Sequence, residues 1–269
     1  MFFDLKSFNH SKILAMCFIT LSIFTFSTHT LLAQSKKKTT SVQTSKPQIN
    51  PLDTKLIAAV KAKNVEEVNK LLVQGADANS IDHSNGFRVP ILNVILSEGD
   101  NWQVEREIAI ALINAGANVN GHGNTFYPPL MLADDIEVVK LLIKKSADVN
   151  FASTVSSLET PLHCAIYKPL ITNLLIGAGA NLNAKTRDGN TPLMYAIQRI
   201  SNETDENGEV EADSEEDQDI KKCLESISLL LKAGADTKIK NREGKTALAS
   251  ARESKYAPLI KILEKVGVK

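Results

Sequence analysis

The phrase "GADAN", Gly75 to Asn79, returns as "GANVN" at Gly116, "SADVN" at Ser146, "GANLN" at Gly179 and "GADTK" at Gly234. A leucine-rich run precedes each: "VNKLLVQ", "IAIALINA", "VVKLLIKK", "ITNLLIGA" and "ISLLLKA". A last run, "IKILEKVG", brings Gly267 to the glycine slot. Earlier in each unit stands a second phrase: "TKLIAA" at Thr54, "VPILNV" at Val89, "PPLMLA" at Pro128, "TPLHCA" at Thr160, "TPLMYA" at Thr191 and "TALASA" at Thr246. Six units in register leave few architectures open. Each must be one supersecondary piece that cannot bury its apolar face alone and stacks on its neighbours.

Local chemistry says what that piece is. Thr at the head of the second phrase suits a helix N-cap, its hydroxyl accepting from first-turn amides. Pro beside it suits the first helical position, where no amide donor is missed. Leu162 and Ala165 are three apart and share a helix face. The leucine run predicts a second helix, which Gly75, Gly116, Gly179 and Gly234 end where a left-handed backbone costs least. Each unit therefore reads as helix–turn–helix followed by a loop.

"DGNTPLMYA" (Asp188 to Ala196) and "LLLKAGAD" (Leu229 to Asp236) resemble the ankyrin repeat, about 33 residues long. The resemblance covers residues 51–269 and implies an all-α solenoid of six helix pairs with finger loops along one edge. It also implies a non-enzymatic scaffold that binds another protein. The units depart from even spacing. Unit two is longer around "SEGDNWQVER", units three and four are shorter, Ser146 replaces a glycine, and unit five carries an insertion, so the stack is expected to be irregular in its middle.

The N-terminus is a different material. Lys6 and Lys12 precede the apolar run "ILAMCFITLSIFTF", and Ala33 offers a small residue for cleavage. The pattern reads as a secretory signal peptide over 1–33, its run shorter than the roughly 20 residues that span a bilayer. Residues 34–50, rich in Lys, Thr, Ser and Gln, read as a flexible basic linker. The expectation is export to the periplasm or beyond, in a bacterial setting, with no membrane span after cleavage and a monomeric chain. After cleavage only Cys164 and Cys223 remain. An apolar core, not a disulfide framework, must hold the fold, though spacing alone leaves a Cys164–Cys223 bridge open.

His163 beside Cys164 raises catalysis or metal binding. Yet the His163 slot holds Ile57, Leu92, Met131, Met194 and Ala249 elsewhere, and the Cys164 slot holds Ala58, Asn93, Leu132, Tyr195 and Ser250. Neither slot demands chemistry, and the expectation is structural. No HExxH, GxSxG or GxxxxGK[ST] motif occurs. No cofactor, catalytic residue or nucleic-acid partner is expected. Six of nine Phe lie in 1–33, and the rest, Phe87, Phe126 and Phe151, fall in successive finger loops. Aromatic and arginine side chains dominate interface hot spots. The expected partner-binding set is Phe87, Arg88, Trp102, Phe126, Tyr127, Phe151, Arg187 and Tyr195. The competing reading packs each ring between neighbouring fingers.

Lys plus Arg equals Asp plus Glu, 31 each, but the balance hides an asymmetry. Ten of the 17 residues from Glu203 to Asp219 are acidic and none is basic. Without this insertion and residues 1–33, 29 basic residues face 20 acidic ones. The composition predicts a solvated, disordered loop. A calcium-responsive module is the alternative. With Glu203 as position one, Asp205, Asn207, Gly208 and Val210 match an EF-hand loop, with Glu209 and Glu211 as further oxygens. Ser214 at position twelve cannot supply the bidentate carboxylate.

Overall fold

The computed structural model describes residues 50–99, 101–123, 127–154, 157–205, 207–209 and 215–267. The signal peptide 1–33, the linker up to residue 49, Phe126 and Glu211 lie outside the described residues.

The described helices form six pairs: α1 Pro51–Lys61 with α2 Val65–Val73, α3 Ile91–Leu96 with α4 Trp102–Asn114, α5 Pro129–Leu132 with α6 Ile136–Lys144, α7 Pro161–Cys164 with α8 Pro169–Gly177, α9 Pro192–Glu203 with α10 Glu215–Lys232, and α11 Ala247–Glu253 with α12 Ala257–Gly267. First helices pack on first helices and second on second along the whole stack. This is the ankyrin-repeat solenoid, all-α among the described residues apart from one short hairpin in the second finger. There β1 (Ile81–Asp82) pairs antiparallel with β2 (Val89–Pro90), Ile81 opposite Pro90.

One apolar core runs the length of the stack. Leu56, Leu71, Ile91, Ile108, Leu112, Leu142, Leu162 and Leu175 are fully buried, each worth about 1.5–3 kcal/mol of burial. Ala109, Ala196, Ala247 and Ala251 are equally buried and let facing helices approach. Thr191 and Thr246 cap as their phrase predicts, their hydroxyls accepting from Met194 N at 3.4 Å and Ala249 N at 3.3 Å. The first unit corrects the pattern. Asn50, not Thr54, is the cap, its carboxamide accepting from Leu52 N at 3.1 Å, because Asn50–Pro51 is a stronger start signal four residues earlier.

The uneven spacings become visible as element lengths. The shortened units three and four have first helices of only four residues, α5 and α7. The longer unit two uses its extra residues for the turn after α3 and the opening of the 13-residue α4. The acidic insertion is not a wholly structureless loop, which corrects the compositional expectation. Glu203 ends α9, and Glu215 to Asp219 open the 18-residue α10. Acids at a helix N-terminus are favoured by its dipole, and Asp217 and Asp219 pair with Lys221 and Lys222 at 2.7 and 2.8 Å. The turn between the helices leans on unit six: a Cβ on Gly208 would lie 2.6 Å from the Lys255 carbonyl carbon. Composition missed this because neither feature needs an apolar side chain.

A ladder of carboxamides joins the loops. Asn79 Oδ1 accepts from Asn118 N at 2.8 Å, Asn120 from Asp148 N at 2.8 Å, Asn150 from Asn181 N at 2.7 Å and Asn183 from Asp236 N at 2.9 Å. The Nδ2 groups of Asn79, Asn120 and Asn150 donate forward to the carbonyls of Gly116, Ser146 and Gly179. At the glycine slot Ser146 has φ +65°, while Gly75, Gly116, Gly179 and Gly234 have +85° to +95°. A left-handed backbone costs a side-chain-bearing residue about 1–2 kcal/mol, partly offset by the greater freedom of an unfolded glycine. Ser146→Gly is therefore expected to raise the melting temperature by a few degrees in differential scanning calorimetry; a fall would contradict it.

Candidate functional site

The Thr160–Ala165 phrase folds into a structural network. His163 is fully buried. Its Nδ1 accepts from Thr160 N at 3.1 Å and lies 2.9 Å from Thr160 Oγ1. Its Nε2 reaches the Asn190 carbonyl of the next finger at 3.2 Å, which sets the tautomer with the proton on Nε2. Burial holds the imidazole neutral, its pKa lowered to about 4. Both cysteines are free thiols. Burial pushes Cys223 up to about 12, and its thiol lies 3.4 Å from the Ala196 carbonyl. A buried, protonated thiol is a poor nucleophile.

The finger loops define one edge of the stack, and the turns within each helix pair define the opposite edge. Four of the expected partner residues with described positions sit in fingers two to four. Phe87, 47 % exposed, stands at the head of β2 beside exposed Arg88. The finger-three backbone abuts this tip, since a Cβ on Gly123 would collide with the Arg88 carbonyl. Tyr127 is half-buried, and its carbonyl accepts from Asn93 Nδ2 at 2.9 Å. Phe151 is half-buried and tilts against the His122 ring of finger three, centroids 5.4 Å apart. Phe151 thus follows the packing reading, and Phe87 presents its ring to solvent.

Two of the expected residues do not join them. Trp102, 65 % exposed, opens α4 at the turn edge. The Arg106 guanidinium lies over its ring at 5.1 Å and 3.7 Å from the Asp135 carboxylate. Tyr195 is taken up inside the stack. It stands edge-on to His163 at 5.5 Å, donates to Glu159 at 2.7 Å and accepts from Arg199 at 2.8 Å. Burial, reinforced by Glu159, raises its phenol above the ordinary range, although Arg199 opposes this. Arg187 is exposed in finger five. Sequence reading named it but missed Lys185, Lys240 and Arg242, which line one cleft with it. The signal was present: "KTRDGN" at Lys185 and "KNREGK" at Lys240 put a cation at matching places in consecutive fingers.

Of the expected calcium oxygens, Asp205, Asn207 and Glu209 lie among the described residues. Asp205 Oδ1 accepts from Asn207 N at 2.9 Å and Glu209 N at 2.8 Å, a turn acceptor held below the usual carboxylate range by those amides. Among the described residues no group of three or more His, Cys, Asp or Glu is placed to hold a metal ion. No helix among them is long and apolar enough to cross a membrane.

Helix pairs, finger loops and buried TPLH-type caps define the ankyrin-repeat fold. Comparison with known proteins agrees. Residues 134–205 match the family model described as Ankyrin repeats (3 copies). The chicken Nuclear factor NF-kappa-B p105 subunit is 33 % identical over 154 residues, which are 54 % of this chain and 15 % of that protein. The Putative ankyrin repeat protein YahD of Escherichia coli (strain K12) is 24 % identical over 223 residues, 81 % of this chain and 98 % of its own length. A crystal structure of an ankyrin repeat domain from Acinetobacter baumannii AYE superposes with a TM-score of 0.62 at 24 % identity, covering 79 % of this chain and 97 % of that one. Residues 134–205 thus match ankyrin repeats, which are generally protein–protein interaction modules.

Proposed function

We propose that this chain is an exported scaffold that captures a partner protein on its finger-loop surface. Phe87 carries the reading. A phenylalanine with space in the core is normally buried, because removing its apolar area from water is favourable. Here it stands half in solvent beside Arg88, at the tip of a finger stiffened by a hairpin. Export rests on the basic-then-apolar pattern of residues 1–33, and bacterial export on the same feature, since ankyrin domains of eukaryotes are mostly cytosolic.

The test pairs capture with stability. Residues 34–269 serve as bait in periplasmic extract, as wild type and as Phe87→Ala. The expected result is loss of the partner band with a melting temperature unchanged within a degree or two, as for most exposed substitutions. Undiminished capture, or a melting temperature lowered as for a buried ring, about 3–5 kcal/mol, would overturn the reading. Intact-mass measurement of the exported form tests cleavage, with a mature N-terminus at Gln34 expected.

A further inference from the structure

Between fingers four, five and six lies an open cleft of about 320 Å³ lined by Leu158, Lys185, Thr186, Arg187, Lys240 and Arg242, together with Gly189 and Asn241. We propose that this cleft binds an acidic peptide segment of a partner protein, with Arg187 and Arg242 gripping carboxylates and Leu158 receiving an apolar side chain between them. The proposal rests on the scaffold reading for the class of ligand. It stands apart from Phe87, which lies on finger two.

Four cations share the cleft, and among the described residues none is engaged in an ion pair. The acids of these fingers are Asp148, Glu159, Asp188, Asp236 and Glu243. Asp148 and Asp236 accept from the loop amides of Asn150 and Lys238, Glu159 accepts from Tyr195, Glu243 pairs with Lys245 at 2.8 Å, and Asp188 stands beside Arg187 in the chain. The insertion's first residue, Glu203, stands at the far end of α9, twelve residues from Thr191 at the edge of finger five, and so about 18 Å from it along the helix axis. That is roughly two screening lengths at physiological salt.

The cations stand on a fixed frame. Arg187 N donates to the Ser157 carbonyl, joining fingers four and five. Arg242 N donates to the Asp188 carbonyl at 2.9 Å and Asn241 Nδ2 to Asn190 Oδ1 at 3.0 Å, joining five and six. Gly189 permits that approach, since a Cβ there would lie 3.0 Å from Arg242 N. Leu158 holds φ +60°, a rare conformation for a bulky residue, on the cleft wall. Arginine forks fit carboxylates bidentately. An aromatic stacking platform, which single-stranded nucleic acid uses, is missing from the lining. Leu158 beside the cations offers an apolar contact that suits a chain segment with alternating acidic and apolar side chains better than a lipid headgroup surface.

The test is fluorescence polarisation with the full chain and a labelled peptide alternating glutamate and leucine, at physiological salt. Saturable binding is expected, weakened about tenfold or more by Arg187→Ala plus Arg242→Ala, as for loss of charge-assisted bidentate pairs. Arg187→Lys plus Arg242→Lys keeps the charge and should lose part of that affinity, which also covers the case of an alanine variant that melts early. Lys55→Ala plus Lys144→Ala removes equal charge elsewhere and should leave binding unchanged. Equal losses in the remote and cleft variants would overturn the site. Displacement by a poly-dT oligonucleotide or by inorganic phosphate at lower concentration than by unlabelled peptide would overturn the peptide assignment. If Phe87→Ala abolishes partner capture while the peptide still binds, both readings stand. If the peptide fails to bind while Phe87→Ala abolishes capture, only the cleft falls.

Discussion

His163→Ala is expected to destabilise the chain by about 3 kcal/mol, which in a domain of this size lowers the melting temperature by about 6–12 °C. The substitution empties a fully buried site and strands two backbone groups. Thr160 N loses its acceptor and the Asn190 carbonyl loses its donor. Asn190 also ties finger five to finger six through Asn241, so the damage spreads beyond unit four. The same residue predicts a pH response. Its folded pKa, lowered to about 4 by burial, lies below the unfolded value near 6.5, so between these values the unfolded chain binds the extra proton. The contribution is therefore complete above about pH 6.5. It is lost as pH falls through the window to about 4, up to about 3 kcal/mol in all. Chemical denaturation of wild type and His163→Ala at steps across this window isolates the term from carboxylate titrations. The stability difference should shrink on acidification, and a constant difference would refute the assignment.

Leu142→Ala should cost about 3–4 kcal/mol and also change the shape of unfolding. Leu142 is fully buried on α6, in the middle of the second-helix row. In a solenoid, stability is close to a sum of unit and interface terms, so a weak central unit can separate the blocks on either side. Unit three is already poor in its own contacts, because α5 contributes only four residues. The expected calorimetric trace has two transitions where the parent has one. A single transition, merely shifted, would show that the interfaces hold the stack together without unit three.

The repeat phrases made the helix pairs and their core legible, since each Leu and Ala slot serves the same place in every unit. Loop and turn residues were less legible. Trp102 and Phe87 belong to the same unit and look alike as spare aromatics. The chain reverses between α3 and α4, which sends them to opposite edges. Tyr195 reads as available because five of six units put other side chains in its slot. Only the fold shows Glu159 and Arg199 closing on it. The cleft cations were readable as matching offsets in consecutive fingers, a signal that appears only when units are written one beneath another. The ordered ends of the insertion were hidden because helix dipoles and glycine contacts leave no mark on composition.

The carboxamide ladder has a consequence for how such a chain can be rebuilt. Each rung hands one acceptor and, in the first three cases, one donor to the loop ahead, so any unit ending in Asx-x-Asn is a cassette with a standard coupling at its downstream face. Cassettes of this kind can be excised, duplicated or exchanged without redesigning the junction. The loop that reads Asp236-Thr237-Lys238 accepts the coupling from Asn183 and, among the described residues, passes none on. Transplanted into the interior of another stack, it would act as an uncoupler, and a Lys238→Asn change is the single edit that would convert it into a connector.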